Sequence, residues 1–184
     1  AMSISIEIPV VSGAWLIPTI ESVLAQTSKA WRLHLLWDGG DDLSKRILQK
    51  LEKHPRARVF YTERMGIASA RQYLSERSEG DWILPLDHDD LLHKECVARF
   101  LAFAKERPWA GIVRARRAFV DDQGVVHQAP DWFPFERRHY HRGMTRDLFN
   151  HAQPMIIRRS AFAQTPGWDG FPEYFGAGED CDMF

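Results

Sequence analysis

The chain has 184 residues, 45% hydrophobic, 12% aromatic and 27% charged, enough apolar content to bury one core of ordinary size, so a single domain is expected. Twenty-four Lys and Arg stand against 25 Asp and Glu, for a net charge of -1, which excludes a global field for nucleic acid and leaves any phosphate contact to a local cluster. Cys96 and Cys181 have neither disulfide-framework density nor C-x-x-C spacing, which fits a reducing compartment or simply packed thiols, and both read as structural.

Residues 3–11 are rich in Ile and Val and are closed by Ser12-Gly13, the pattern of a buried strand ending in a turn. Pro18 suits the first turn of a helix, and Ile20, Val23 and Leu24 recur at helical spacing up to Gln26. A second strand over 31–37 stops at Asp38-Gly39-Gly40. A helix over 43–53, a strand over 58–61, a helix over 67–77 and a strand over 82–86 follow. Such alternation predicts an α/β fold with a mostly parallel central sheet flanked by helices. The second half is mixed. A helix is expected over 94–106, strands over 112–120 and 125–128 around the turn Asp121-Asp122-Gln123-Gly124, and a late strand over 155–157. Residues 128–150 have weak periodicity and read as a long loop, a length usually reserved for function or mobility. No apolar run approaches the ~18 residues needed to cross a bilayer. No secretory leader is visible, so a cytoplasmic chain without a transmembrane segment is expected.

Open parallel sheets bind ligands beyond the carboxyl ends of their strands. Two acidic groups fall there: Asp38 after the second strand, and Asp87-His88-Asp89-Asp90 after the fourth. Clustered carboxylates repel a phosphate unless a bound Mg²⁺ or Mn²⁺ reverses the local charge, and such a cation takes one or two carboxylates together with diphosphate oxygens and water. The competing reading makes Asp89 or Asp90 the cap of the helix that starts near Lys94. Near the end of the chain, Gly178-Glu179-Asp180 either opens a helix or supplies a carboxylate whose basicity a dry cleft would raise.

Six segments stand in order: Ile6-Glu7-Ile8-Pro9-Val10-Val11, Glu21-Ser22-Val23-Leu24-Ala25-Gln26-Thr27, Trp37-Asp38-Gly39-Gly40, Gly66-Ile67-Ala68-Ser69-Ala70-Arg71, Leu86-Asp87-His88-Asp89-Asp90 and Gly178-Glu179-Asp180. In this order and spacing they resemble the family 2 glycosyltransferases, and the resemblance covers nearly the whole chain. It implies a GT-A (Rossmann-like) fold with a nucleotide-sugar-binding half over 1–90 and a mixed acceptor-side half over 91–184. It implies a nucleotide-diphospho-sugar donor bound by Pro9, Val11, Asp38, Gly66, Arg71 and Asp87, with Asp38 on the base and Arg71 near the base or diphosphate. It implies Mg²⁺ or Mn²⁺ at Asp87 and Asp89, and Asp180 as catalytic base of an inverting transfer to a carbohydrate or lipid-linked glycan. Nucleic acid is not an expected partner, and peripheral membrane association stays open. Two departures stand out: Val11 where the family often has Tyr, and Trp37 where it often has a second Asp. Family members generally continue past the Glu-Asp motif, so the chain is expected to be a truncated portion of a longer protein.

Between the predicted hairpin and the late strand lie Trp132, Phe133, Phe135, Arg137, Arg138, His139, Tyr140, His141, Arg142 and Arg146. Arginines suit phosphates and aromatic faces suit sugars, though a solvated loop whose aromatics pack on the core reads equally well. Trp168, after Pro166-Gly167, is read either as part of a family turn below the acceptor site or as a buried anchor for a loop. A nucleotidyltransferase would show a Gly-rich loop after the first strand, which Ser12-Gly13 is not. A two-carboxylate glycosidase fits the strand-end Asp-x-Asp less well than a metal diphosphate does. The remaining rival is a non-catalytic domain that binds a sugar nucleotide or glycan on a degenerate transferase fold, a reading that Val11 and Trp37 support.

Overall fold

The computed structural model describes residues 1–115, 118–121, 123, 125–128 and 155–168. The first strand, β1 (Ile4–Val10), is buried along its whole length, as expected of a central strand covered on both faces. Helix α1 (Leu16–Leu24) follows and carries Pro18 in its first turn, where a missing N–H costs nothing. Next come β2 (Trp31–Asp38), α2 (Asp42–Leu51), β3 (Ala57–Thr62), α3 (Ile67–Arg77) and β4 (Trp82–Pro85). These units form the expected parallel array. Beyond them lie α4 (Cys96–Glu106), β5 (Ile112–Arg114), β6 (Ala118–Val120), β7 (Val126–Gln128), β8 (Met155–Arg158) and a single-turn α5 (Arg159–Phe162).

The main sheet has the order β3-β2-β1-β4-β8-β5. β1 pairs in parallel with both β2 and β4, and β2 with β3, whereas β8 runs antiparallel to its neighbours β4 and β5. One face packs Ile4, Ile6, Ile8 and Val10 of β1 against Leu16, Ile20 and Val23 of α1, Leu48 of α2, and Val97 and Phe100 of α4. The opposite face carries two smaller clusters. Leu36 packs with Ala70 and Leu74 of α3, and Ile83 packs with Met155, Ile157, Phe162 and Trp168. Alternate residues of one strand thus serve opposite layers, the result of the two-residue repeat of extended backbone.

The structure corrects three expectations. The strand predicted over 112–120 is two strands in different sheets: β5 joins the edge of the main sheet, while β6 pairs with β7 in a separate ribbon. The apolar run alone cannot show that break, because pairing with β8 ends at Arg114. Helix α4 begins at Cys96 with Glu95 at its N-cap position, so neither Asp89 nor Asp90 caps it. Residues 159–162, which had no predicted element, make the turn of α5. Cys96 packs on the main core, and burial pushes its thiol up to about 11, which leaves it inert; Cys181 lies outside the described residues. Among the described residues no helix is long and apolar enough to cross a membrane.

Candidate active site

In the order β3-β2-β1-β4 the chain leaves β1 towards β2 and returns through α3 to β4 on the other side of β1. The carboxyl ends of β1 and β4 therefore border the crevice where doubly wound sheets bind ligands. Asp38 closes β2 and Asp87 follows β4, on the two sides of β1.

Asp38 is 1% exposed. Its Oδ1 accepts from the Met65 backbone N–H at 2.6 Å and its Oδ2 from Gly66 N–H at 3.1 Å. Gly66 is the N-cap residue of α3 and has φ 89°, a left-handed conformation that L side chains resist. A carboxylate at the positive end of a helix is doubly favoured, by hydrogen bonds to orphan N–H groups and by the dipole. Asp38 thus holds the loop through which the chain enters α3, a role the motif alone did not reveal. Around Gly66 there is open space and only its φ resists a side chain, whereas Gly39, φ 58°, also lacks room: a Cβ there would lie 2.8 Å from Arg64 N.

The acidic loop after β4 is held from α1. Thr19 Oγ1 donates to the carbonyls of Trp15 (3.1 Å) and His88 (3.0 Å), and Ser22 Oγ accepts from Leu92 N–H at 3.1 Å. Gln26, fully buried, donates from Nε2 to His93 O at 2.8 Å and accepts at Oε1 from Val97 N–H at 2.9 Å. Thr19 and Ser22 lie one turn apart on α1, and Gln26 follows just past its C-cap at Ala25. Thr19 together with Ser22 and Gln26 of the Glu21–Thr27 motif therefore braces the chain from His88 to the start of α4 from behind.

Asp87, with its side chain 37% exposed, meets Arg71 of α3, 4% exposed, at 2.9 Å between Nη2 and Oδ1. Arg71 also lies over the Trp168 ring, 5.3 Å from the centroid. Asp89 is exposed. Val11 is half-buried and its carbonyl accepts from Asp41 N–H at 3.1 Å. Asp41 also accepts from Gly13 N–H at 3.1 Å while capping α2 through Ser44 N–H at 2.7 Å, so one side chain ties the loop after β1 to the start of α2. Trp37 is committed nearby: its Nε1–H donates to Asp41 O and Ser44 Oγ, and Lys45 lies over its ring at 4.9 Å. Pro9 is buried within β1. The structure thus brings Pro9, Val11, Asp38, Gly66, Arg71, Asp87 and Asp89 to the same end of the sheet. Asp180, Glu179 and the basic aromatic stretch of residues 132–146 lie outside the described residues.

A polar group that sequence reasoning missed lies beneath this end. Glu7 of β1, 1% exposed, accepts from the hydroxyls of Ser75 and Ser78. Arg159 donates to Ser78 Oγ at 2.6 Å and Trp168 Nε1–H to Ser75 Oγ at 2.9 Å. Neither of those donors can accept, so both hydroxyl protons are directed at Glu7. Burial pushes the Glu7 carboxyl up to about 7, against the pull of the two hydroxyls and of Arg159. A charged residue inside a mostly apolar strand was the sequence signal.

Asp87 and Asp89 offer hard oxygen donors. Among the described residues no group of three or more His, Cys, Asp or Glu could hold a metal ion. That donor set fits a cation of the Mg²⁺ type, which completes its shell with substrate phosphates and water rather than with a protein cage.

The sheet order, with acids at its strand ends, is that of a GT-A-type fold. The model of glycosyl transferase family 2 matches residues 5–165, and the chain belongs to that family. An uncharacterized glycosyltransferase of Rickettsia conorii, RC0461, is 34% identical over 192 residues, covering 98% of this chain and 29% of its own length. Chondroitin synthase of Escherichia coli is 28% identical over 184 residues, covering 98% and 26%. The chain thus spans less than a third of either relative. S. aureus TarS 1-349 in complex with UDP superimposes with a TM-score of 0.74 at 19% identity, over 97% of this chain and 53% of that fragment. The mannosyltransferase PcManGT of Pyrobaculum calidifontis, in complex with GDP-Man and Mn²⁺, gives 0.66 at 15% identity, over 98% and 49%.

Proposed function

We propose that the chain is the donor-binding and catalytic part of an inverting glycosyltransferase that moves a sugar from a uridine diphosphate donor to an acceptor hydroxyl. The observation that carries this reading is Asp87, held by the buried Arg71 at the β1/β4 crevice of a GT-A sheet. Asp38, buried under the Met65–Gly66 turn, would act on the base by organising that turn, which would border the uracil. Pro9 and Val11 would border the nucleoside from β1, and Arg71 would lie by the diphosphate. Asp87 and Asp89 would hold Mg²⁺ or Mn²⁺, which would neutralise charge on the departing diphosphate. Asp180 would take the proton of the acceptor hydroxyl as its oxygen bonds to the anomeric carbon and the bond from that carbon to the diphosphate oxygen breaks, inverting the configuration. A glycan acceptor agrees with the names of relatives such as chondroitin synthase.

The test is thermal unfolding of the chain with UDP or GDP, each with and without Mn²⁺, followed by release of UDP from UDP-sugars. UDP with Mn²⁺ should raise the melting temperature more than either alone and more than GDP with Mn²⁺, since a ligand at ~100 times its Kd adds about 2.7 kcal/mol. Equal stabilisation by GDP overturns the base assignment. Binding without release of UDP in the presence of acceptor glycans would make the chain a binding domain.

A further inference from the structure

Trp168 belongs to the chain after β8, 97 residues beyond Arg71, and is fully buried. Three successive contacts fix it on α3. Its backbone N–H donates to Gln72 Oε1 at 2.9 Å, its indole N–H donates to Ser75 Oγ at 2.9 Å, and the Arg71 guanidinium lies over its ring. Gly167 makes the approach possible: its φ is 78°, and a Cβ there would lie 2.4 Å from Gln72 Oε1. The ring is also tilted against Phe162, 5.6 Å between centroids. A guanidinium only 4% exposed needs compensation for lost water. Asp87 supplies an opposite charge through Nη2 at 2.9 Å, and the indole supplies a π face within the ~6 Å at which that attraction operates.

From this geometry we propose that Trp168 is a positioning residue for the donor site, holding the Arg71 guanidinium on Asp87. It makes the half of the chain after β4 a determinant of donor binding. The inference rests on the reading of Arg71 and Asp87 as diphosphate and metal residues only for its functional consequence. The contact itself can be tested without ligand.

The experiment has two arms. In the first, urea unfolding of the wild type, Arg71→Leu, Asp87→Asn and the double variant gives the Arg71–Asp87 coupling, expected at about tenfold in the unfolding constant. The same cycle is repeated in Trp168→Leu and Trp168→Phe backgrounds. Coupling should fall to about onefold with Leu and persist with Phe, which keeps a π face while losing the indole N–H. In the second arm, UDP is titrated with Mn²⁺ into the wild type, Trp168→Leu, Trp168→Phe and Phe100→Leu. Phe100→Leu weakens the core under α4, away from Arg71, and controls for lost stability. Trp168→Leu should weaken binding at least about tenfold, with Trp168→Phe and Phe100→Leu within about threefold of wild type. Full Arg71–Asp87 coupling in the Leu background overturns the proposal, as does wild-type affinity in a folded Trp168→Leu protein. Loss of coupling together with a wild type that does not bind UDP and Mn²⁺ would uphold the contact and overturn the assigned function instead.

Discussion

Substituting His34 by leucine should change how stability depends on pH, in a direction and by an amount that follow from its place in the sheet. His34 of β2 is 1% exposed and lies level with Glu7 on β1 and Arg58 on β3. Burial, reinforced by the charges of Arg58, Arg159 and Arg32, lowers its pKa from 6.5 to about 4. Between those two values the unfolded chain binds a proton that the folded chain refuses. The histidine's contribution to stability is therefore intact above pH ~6.5 and lost as the pH falls through ~4; at ~1.4 kcal/mol per pH unit the loss is about 3 kcal/mol. Glu7 acts in the opposite sense. Its folded pKa is raised from 4.5 to about 7, so its contribution is intact below pH ~4.5 and lost as the pH rises through ~7. In the wild type the two nearly cancel across pH 4.5–6.5. Leucine has nearly the volume of histidine and cannot titrate, so His34→Leu should gain about 3 kcal/mol relative to wild type between pH 7 and pH 4. Urea unfolding followed by tryptophan fluorescence at half-unit steps measures that difference, in which other titrating groups cancel. A difference constant to within ~0.5 kcal/mol over the range would refute the claim that burial keeps His34 neutral.

Asp38→Asn cannot accept from both Met65 and Gly66, so one N–H of the α3 entry loses its partner; a loss of ~1–3 kcal/mol is expected in urea unfolding. An unchanged midpoint would show that the carboxylate does not hold the loop. Asp89 is exposed and does not cap α4, so Asp89→Asn should stay within ~0.5 kcal/mol of wild-type stability while losing Mn²⁺-dependent stabilisation by UDP. Retained Mn²⁺-dependent binding would remove Asp89 from the cation site. Asp180→Asn should keep UDP binding and lower transfer at least ~100-fold, because the base acts on the acceptor rather than on the diphosphate. Near-wild-type turnover in that variant would place the base elsewhere.

The order of strands and helices through β4 was legible because each element carries its own period. β1 is an apolar run broken only by Ser5 and Glu7, and α1 repeats Ile20, Val23 and Leu24, whereas the cap that starts α2, Asp41 on Ser44 N–H, came only with the structure. The strand-end position of Asp38 and Asp87 was legible for the same reason, since a strand's end shows where its side chains meet solvent. Three further features were not. That Asp38 faces inward to Met65 and Gly66, that β5 and β6 belong to different sheets, and that Arg71 is enclosed by Asp87 and Trp168 all depend on residues 16 to 97 positions apart. Periodicity records which face of an element is apolar, a property set within a few residues. Which polar atoms meet across that face is decided only when the layers pack, because an unpaired buried charge is tolerated only where the fold brings it a partner. The sequence by itself determined the alternating strands and helices through β4 and the location of their acids; the packing of α3 against β1, β2 and the chain after β8 decided which of its charged groups are held in place.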